Sequence, residues 1–286
     1  MGSPYTNIKL IGEKPEKLQK SLIIIILVGT FVISCAAIYT LTTFIRADKN
    51  TTIEVELPYG TLSDLTAPDV FTQAYLSVNC NATLLKNTQT IRVRGHMVNG
   101  DHKQAFSLIK KRPDRMLFTI DRGSYEMTFG VSNDTVWRRI RAPQHDDLFA
   151  LVEGEEADAW LGQRRFFDRI ISASLGEGHI TGIEGVIWEK TDCLKVSIRE
   201  TDEVAVEILV SLRTMYPIAE LETLVDGTIK QTVFSDYRDI DGMPLPFNIK
   251  SSVNGEADSL IILDAASLNS GVLSKLFDIP EALLAK

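Results

Sequence analysis

Four histidines (His96, His102, His145 and His179), three cysteines and a scatter of acids are what this chain offers for chemistry. Their spacing assembles none. The histidines lack any metal-ligand spacing, and each reads as a surface or hairpin residue. "GVSND" at Gly130 to Asp134 presents a serine without the second glycine of a strand-to-helix nucleophile turn. "GEGHITG" at Gly176 to Gly182 only approximates a dinucleotide fingerprint, and it follows a helical pattern where a strand is needed. "DYRDIDG", ending at Gly242, lacks the alternating acids of a calcium loop. We therefore expect no catalytic residue, no metal site and no cofactor, and a binding protein in place of an enzyme. Cys35 lies in an uncharged stretch, which leaves Cys80 and Cys193 as one disulfide or two buried thiols, the commoner state of free cysteine.

The apolar residues say more. Met116, Phe118 and Ile120 alternate along one strand face, and Tyr125, Met127 and Phe129 along a face of the next, with Trp137 following. Such stripes build either a filled core or a cavity wall. Arg112, in "KKRPDR", carries five donors in a fixed fork, suited to bridging carbonyls at a helix end or pairing with a carboxylate. The alternative is a solvated turn residue. A formal charge of −8 with scattered basic residues excludes a nucleic-acid surface.

These residues need elements to hold them. "APDVFTQAYLSV" (Ala67 to Val78) spaces Val70, Ala74, Tyr75 and Val78 as one face of a short helix, with Pro68 in its first turn. From Ile91 the period becomes two. Five strands follow, joined by tight turns such as Asn99-Gly100. Asp146 to Ser174 breaks the pattern, with Trp160, Leu161, Phe167, Ile170 and Ile171 on a broad helical face. Hairpin punctuation then resumes to the end of the chain. Asp241-Gly242 is a turn, and Pro244 and Pro246 suit only positions that give up ladder donors. Twelve or so strands around one helical insert imply a large curved antiparallel sheet or barrel.

Ahead of this lies "SLIIIILVGTFVISCAAIYTLTTFI" (Ser21 to Ile45), 25 residues without a charge. As a helix it would reach roughly 37 Å, enough to cross a bilayer core with some tilt. Lys9, Lys14, Lys17 and Lys20 precede it, and only Arg46 and Lys49 follow closely. That bias places residues 1–20 in the cytoplasm as a tail, 21–45 as a single-pass signal anchor, 46–66 as a tether, and 67–286 outside the cytoplasm. A cleaved signal peptide would have a shorter apolar stretch. "VISC", ending at Cys35, is the alternative of a lipoprotein cleavage site, although ten more uncharged residues follow it.

"FSDYRDIDGMPLPFNIKSS", then "SLIILDAASLN" and "LFDIP", resembles the C-terminal half of the bacterial outer-membrane lipoprotein-sorting family, LolA and its relatives. "KKRPDRMLFTI" with "YEMTFGVSNDTVWRRI" resembles its N-terminal half, with Asn133, Asp134 and Trp137 as the loop-plus-aromatic pattern. The similarity covers roughly Val70 to Pro280. It implies a mainly β fold with some helix: an incomplete antiparallel barrel closed by a helical lid, here preceded by one transmembrane helix. The interior would receive lipid or lipoprotein acyl chains against Met116, Phe118, Ile120, Tyr125, Met127, Phe129 and Trp137. Arg112 matches the arginine that holds the lid, and Trp160, Phe167, Ile170 and Ile171 would belong to it. The implied place is the inner membrane with the main domain periplasmic. The anchor departs from a diffusing carrier, and the same fold also serves as an envelope sensor or scaffold contacting a protein partner.

Overall fold

The structure is a computed structural model. It describes residues 59–100, 102–200, 205–224 and 227–284. The expected cytoplasmic tail, the anchor and most of the tether lie outside the described residues. Among the described residues, no helix is long and apolar enough to cross a membrane.

Thirteen antiparallel strands form one curved sheet, in the order β6-β5-β4-β3-β2-β1-β13-β12-β11-β10-β9-β8-β7. The first meander is β1 (Thr90–Asn99), β2 (His102–Lys111), β3 (Arg115–Asp121), β4 (Glu126–Ser132), β5 (Thr135–Arg141) and β6 (Leu148–Val152). The second is β7 (His179–Trp188), β8 (Thr191–Arg199), β9 (Ala205–Ser211), β10 (Pro217–Thr223), β11 (Ile229–Ile240), β12 (Met243–Val253) and β13 (Glu256–Leu268). Every junction is a neighbour in sequence except β1 with β13, which sews the two meanders together. The edges β6 and β7 do not pair, so the barrel is incomplete.

Turn chemistry fixes much of this register. Asp241 and Gly242 both take positive φ (54° and 89°), and Gly242 N–H donates to Asp239 Oδ1 at 3.0 Å. That is the hairpin turn whose twist matches its strands. The prolines beyond it occupy a special stretch. β12 pairs with β13 only from Asn248 to Val253, while Pro244 and Pro246 pair with β11 alone. Their missing donors fall where no second strand asks for them.

Three short helices precede the sheet: α1 (Leu62–Leu65), α2 (Pro68–Asn79) and α3 (Ala82–Asn87). Residues 61–66, expected to end the tether, instead fold onto the domain. Thr61 and Asp64 form a reciprocal cap and Leu65 is fully buried. In α2 the expected span holds but the face is rotated. Phe71, Tyr75 and Asn79 form the buried stripe, at i, i+4 and i+8, and Val70 is exposed. Asn79 is buried because its amide donates to the carbonyls of Tyr75 and Met215.

The expected single helical insert is two helices and a strand. Leu148 to Val152 pairs with β5 as the sixth strand, which the flanking acids disguised. After it come α4 (Gly154–Gln163) and α5 (Arg169–Ser174), with the chain between them turning at Arg164 to Asp168. A 3-10 turn (Ser274–Phe277) and α6 (Glu281–Leu284) end the described chain. The turn packs Phe277, with Val272, on Ile109 and Leu117, which point out of the sheet on the side away from α4.

Candidate functional site

Alternation along each strand divides the sheet into a concave and a convex face. On β2, Phe106, Leu108 and Lys110 share the concave side, and across the ladder they meet Ile120, Phe118 and Met116 of β3. Met127, Phe129 and Val131 continue that side on β4. Over the β7–β10 half, helices α2 and α5 fill the concavity. Phe71, Tyr75, Ile170 and Ile171 pack there with Leu194, Val196, Ile198, Ile208 and Val210. The other half is roofed more thinly. Trp160 of α4 stacks on Phe129 at 4.3 Å and leans on Phe118 at 5.4 Å.

Beneath that roof lies an apolar cavity of about 440 Å³. Its walls include Ile91, Val93 and Met97 of β1, Phe106 and Leu108 of β2, Met116 and Phe118 of β3, and Ile261 and Leu263 of β13. Leu245 and Pro246 of β12 bound it where that strand parts from β13, Ile249 lines it where the two pair, and Trp160, Gln163 and Phe166 cover it. The volume falls within the roughly 300–1,000 Å³ of small-molecule pockets and far exceeds the ~30 Å³ share of one water. A cavity of this size and lining suits a flexible apolar chain.

Of the seven residues expected on the cavity wall, Met116 and Phe118 line it. Ile120 and Met127 sit in the packed cluster beside it with Phe106 and Leu263, and Phe129 supports the roof through Trp160. Trp137 does not belong there. It pairs with Gly130, and a Cβ on that glycine would lie 2.1 Å from the indole. The indole therefore covers Gly130 on the convex face, opposite Phe129. Tyr125 stands in the β3–β4 connection and borders a separate cleft with Asp121, Glu126, Arg141 and Asp147.

The lid residues also divide. Trp160 roofs the cavity together with Phe166, which was not among the expected lid residues, whereas Ile170 and Ile171 of α5 and Phe167 belong to the buried core, Phe167 meeting the Phe166 ring edge-on at 4.9 Å. Arg112 fastens them. Its Nη1 donates to the Leu85 carbonyl in the last turn of α3 at 2.7 Å. Its guanidinium also lies 5.4 Å from the Phe167 ring centre and 5.9 Å from that of Phe166, within cation–π range. One side chain thus touches a helix end and the lid loop together.

Sequence reasoning missed the polar ties. Tyr75 Oη donates to Asp168 Oδ2 at 3.0 Å, joining α2 to α5 across 93 residues. Asp168 also caps α5 by accepting from Ile171 N–H, while burial holds its carboxyl above the usual range. Burial, reinforced by Asp168, pushes the Tyr75 hydroxyl well up. Arg164 at the end of α4 donates to Asn133 O and Asp134 Oδ1, anchoring the lid to the β4–β5 turn. Cys80 and Cys193 are buried and unpaired, and burial raises the Cys80 thiol to about 11. No group of histidine, cysteine or carboxylate side chains that could hold a metal occurs among the described residues.

No family model matches the sequence, and no curated protein matches it. Solved structures do. A DUF1329 family protein from Desulfovibrio piger superposes with a TM-score of 0.51 at 13% identity, over 72% of this chain and 97% of that one. The chain shares the fold of that protein. A LolA superfamily protein from Nitrosomonas europaea matches at 0.49 and 13% identity, over 73% of this chain and 97% of that one. A domain named for outer membrane lipoprotein sorting, from Vibrio parahaemolyticus, matches at 0.43 and 9% identity, over 75% and 96%. The two lower scores add no argument of their own, and the likeness is one of fold alone. Within this frame the concave face, α4 and the loop that Arg112 fastens come together at one cavity.

Proposed function

We propose that the chain binds lipid or lipoprotein acyl chains at the envelope, held to the inner membrane by residues 21–45 with its main domain periplasmic, and has no catalytic role. The apolar cavity beneath Trp160 and Phe166 carries this reading. A half-barrel under a helical roof encloses space that its own side chains do not fill, and an acyl chain supplies the missing apolar contact. The resemblance to the lipoprotein-sorting family supports the same cargo, and a fixed anchor suits handing lipid over at the membrane.

The test uses the full chain in its membrane. A 16-carbon chain bearing a mid-chain photoreactive group, irradiated in place, should label peptides carrying Met116 to Phe118 and Trp160. Label absent from those peptides, or spread evenly over the surface, ends the reading. A stoichiometric protein partner recovered with the cavity unlabelled would favour a sensor or scaffold.

Arg112 gives a second expected result. Arg112→Leu removes the hydrogen bond to Leu85 and the contact with both phenylalanine rings. A hydrogen bond from a charged donor contributes about 1.5 kcal/mol or more. The bound 16-carbon probe, chased with unlabelled chain before irradiation, should therefore leave the cavity roughly tenfold faster, with the β-sheet circular dichroism unchanged. Release at the parent rate would reduce Arg112 to a turn residue.

A further inference from the structure

The cavity wall carries one charge. Along β2 the concave side reads Phe106, Leu108, Lys110, so two apolar residues are followed by an ammonium at the end nearest the lid loop. Lys110 Nζ donates to the Arg165 carbonyl at 2.5 Å, using one of its three protons. Among the described residues, no carboxylate comes within ion-pair distance of it; it makes none of the ion pairs its neighbours make. Arg165 is committed to Glu200, and Arg169 to Glu200, Glu220 and Glu222. Burial, and then the charge of Arg165, lowers the Lys110 ammonium to about 8. A positive charge held so, against apolar walls and without a counter-charge, weakens the fold. Its position supplies a reason for it.

Lys110 stands at a boundary. Besides the apolar cavity it lines a second, polar chamber of about 620 Å³, and the two share Leu108, Lys110, Gln163, Ile249 and Ile261. The polar chamber is walled by Arg165, Arg169, Glu220 and Glu222, whose charges largely satisfy one another, and by Asp168, Lys230 and Asp258. An extended molecule lying in the apolar side with its end emerging at the shared wall would bring that end to the Lys110 ammonium, which no carboxylate neutralises.

Resting on the acyl-chain reading above, we infer that the ligand is a single-chain amphiphile with an anionic head, its chain in the apolar cavity and its head paired with Lys110. A carboxylate and a phosphate monoester both have this chemistry. Lysine is a compact point charge that suits either, where a bidentate fork would choose by geometry. A neutral head would leave the ammonium as unpaired as it is now.

The experiment offers the full chain, in its membrane, three photoreactive 16-carbon probes that differ only in the head: carboxylate, phosphate monoester and primary alcohol. Labelling of the cavity peptides should favour at least one anionic probe over the alcohol by about tenfold. The stronger of the two anions names the head. Lys110→Met should bring the ratio of anionic to alcohol labelling down to about one. Lys110→Arg, which keeps the charge, should retain the preference. Equal labelling by all three heads, or an anionic preference that survives Lys110→Met, overturns the inference and leaves the acyl-chain reading standing. Labelling by none of them overturns the reading beneath it as well.

Discussion

Gly95→Ala is expected to break the seam between the two meanders. A Cβ at this position would lie 2.2 Å from the Ile262 carbonyl oxygen and 2.9 Å from Leu263 Cα. Both neighbours are backbone, so neither can swing aside as a side-chain tip would. The register of β1 with β13 already shifts between Arg94 and Gly95, and the glycine lets the strands close at that irregularity. This pairing is the junction at which β1–β6 joins β7–β13. Relief of the clash must therefore separate the strands that hold the cavity's floor together, since Val93, Met97 and Leu263 all lie beside it. The expected loss is about 3 kcal/mol, the upper part of the range for overpacking. Thermal unfolding of the full chain in detergent, followed by its β-sheet signal, checks it. An unchanged midpoint would mean the seam yields without opening.

Arg169→Leu should cost about as much, through charge in place of volume. Arg169 opens α5 and faces three carboxylates. Its Nε donates to Glu220 at 2.8 Å, Nη1 to Glu200, and Nη2 to Glu222 at 3.4 Å. All four side chains are a quarter exposed or less. With the arginine removed, Arg165, 2.6 Å from Glu200, is left as the cation of the group. Uncompensated buried charge typically costs about 3–5 kcal/mol. For a unit of this size that corresponds to a midpoint lowered by roughly 10 °C.

The sign with pH follows from Glu220. Burial already raises its carboxyl above the usual range, with Arg169 opposing. A raised carboxyl takes its proton more readily in the folded state, so it favours folding at low pH and ceases to as pH rises through its folded value. Without Arg169 the rise is larger. The deficit of the variant should therefore shrink between pH 7 and pH 5. A loss below about 1 kcal/mol with no pH dependence would show the cluster to be screened by water as an exposed pair is.

How much was legible in the chain depended on where the signal came from. Asp241-Gly242 announced its hairpin because positive φ selects those residues, and both adopt it, while at Asn99-Gly100 the glycine does. Glu189 and Lys190 take the same turn geometry, at 46° and 68°, with neither glycine nor asparagine to advertise it. Strand β6 hid between acids because its five residues are too short to show a period against the helix that follows. The wall residues Met116 and Phe118 were visible as an alternating stripe. Trp137 was misplaced because alternation gives two faces within a strand without saying which one turns inward. The register with β4 decides that, through the space above Gly130.

The sequence by itself determined the β-rich class, the order of nearly all the strands and the helical interruption. All of these rest on local rules: two-residue alternation and turn stereochemistry. Arg112 stood out only through the family resemblance, its local chemistry leaving a solvated turn residue equally open. It also supplied the reading of residues 21–45 as an anchor, which lies outside the described residues. Tertiary structure alone decided that β1 closes against β13, that Tyr75 meets Asp168 across 93 residues, and that Lys110 faces the cavity without a counter-charge. The reason is physical. A local rule constrains dihedrals and faces one strand at a time, whereas a cavity and its charges are set by how far a twisted sheet curves before its edges fail to meet.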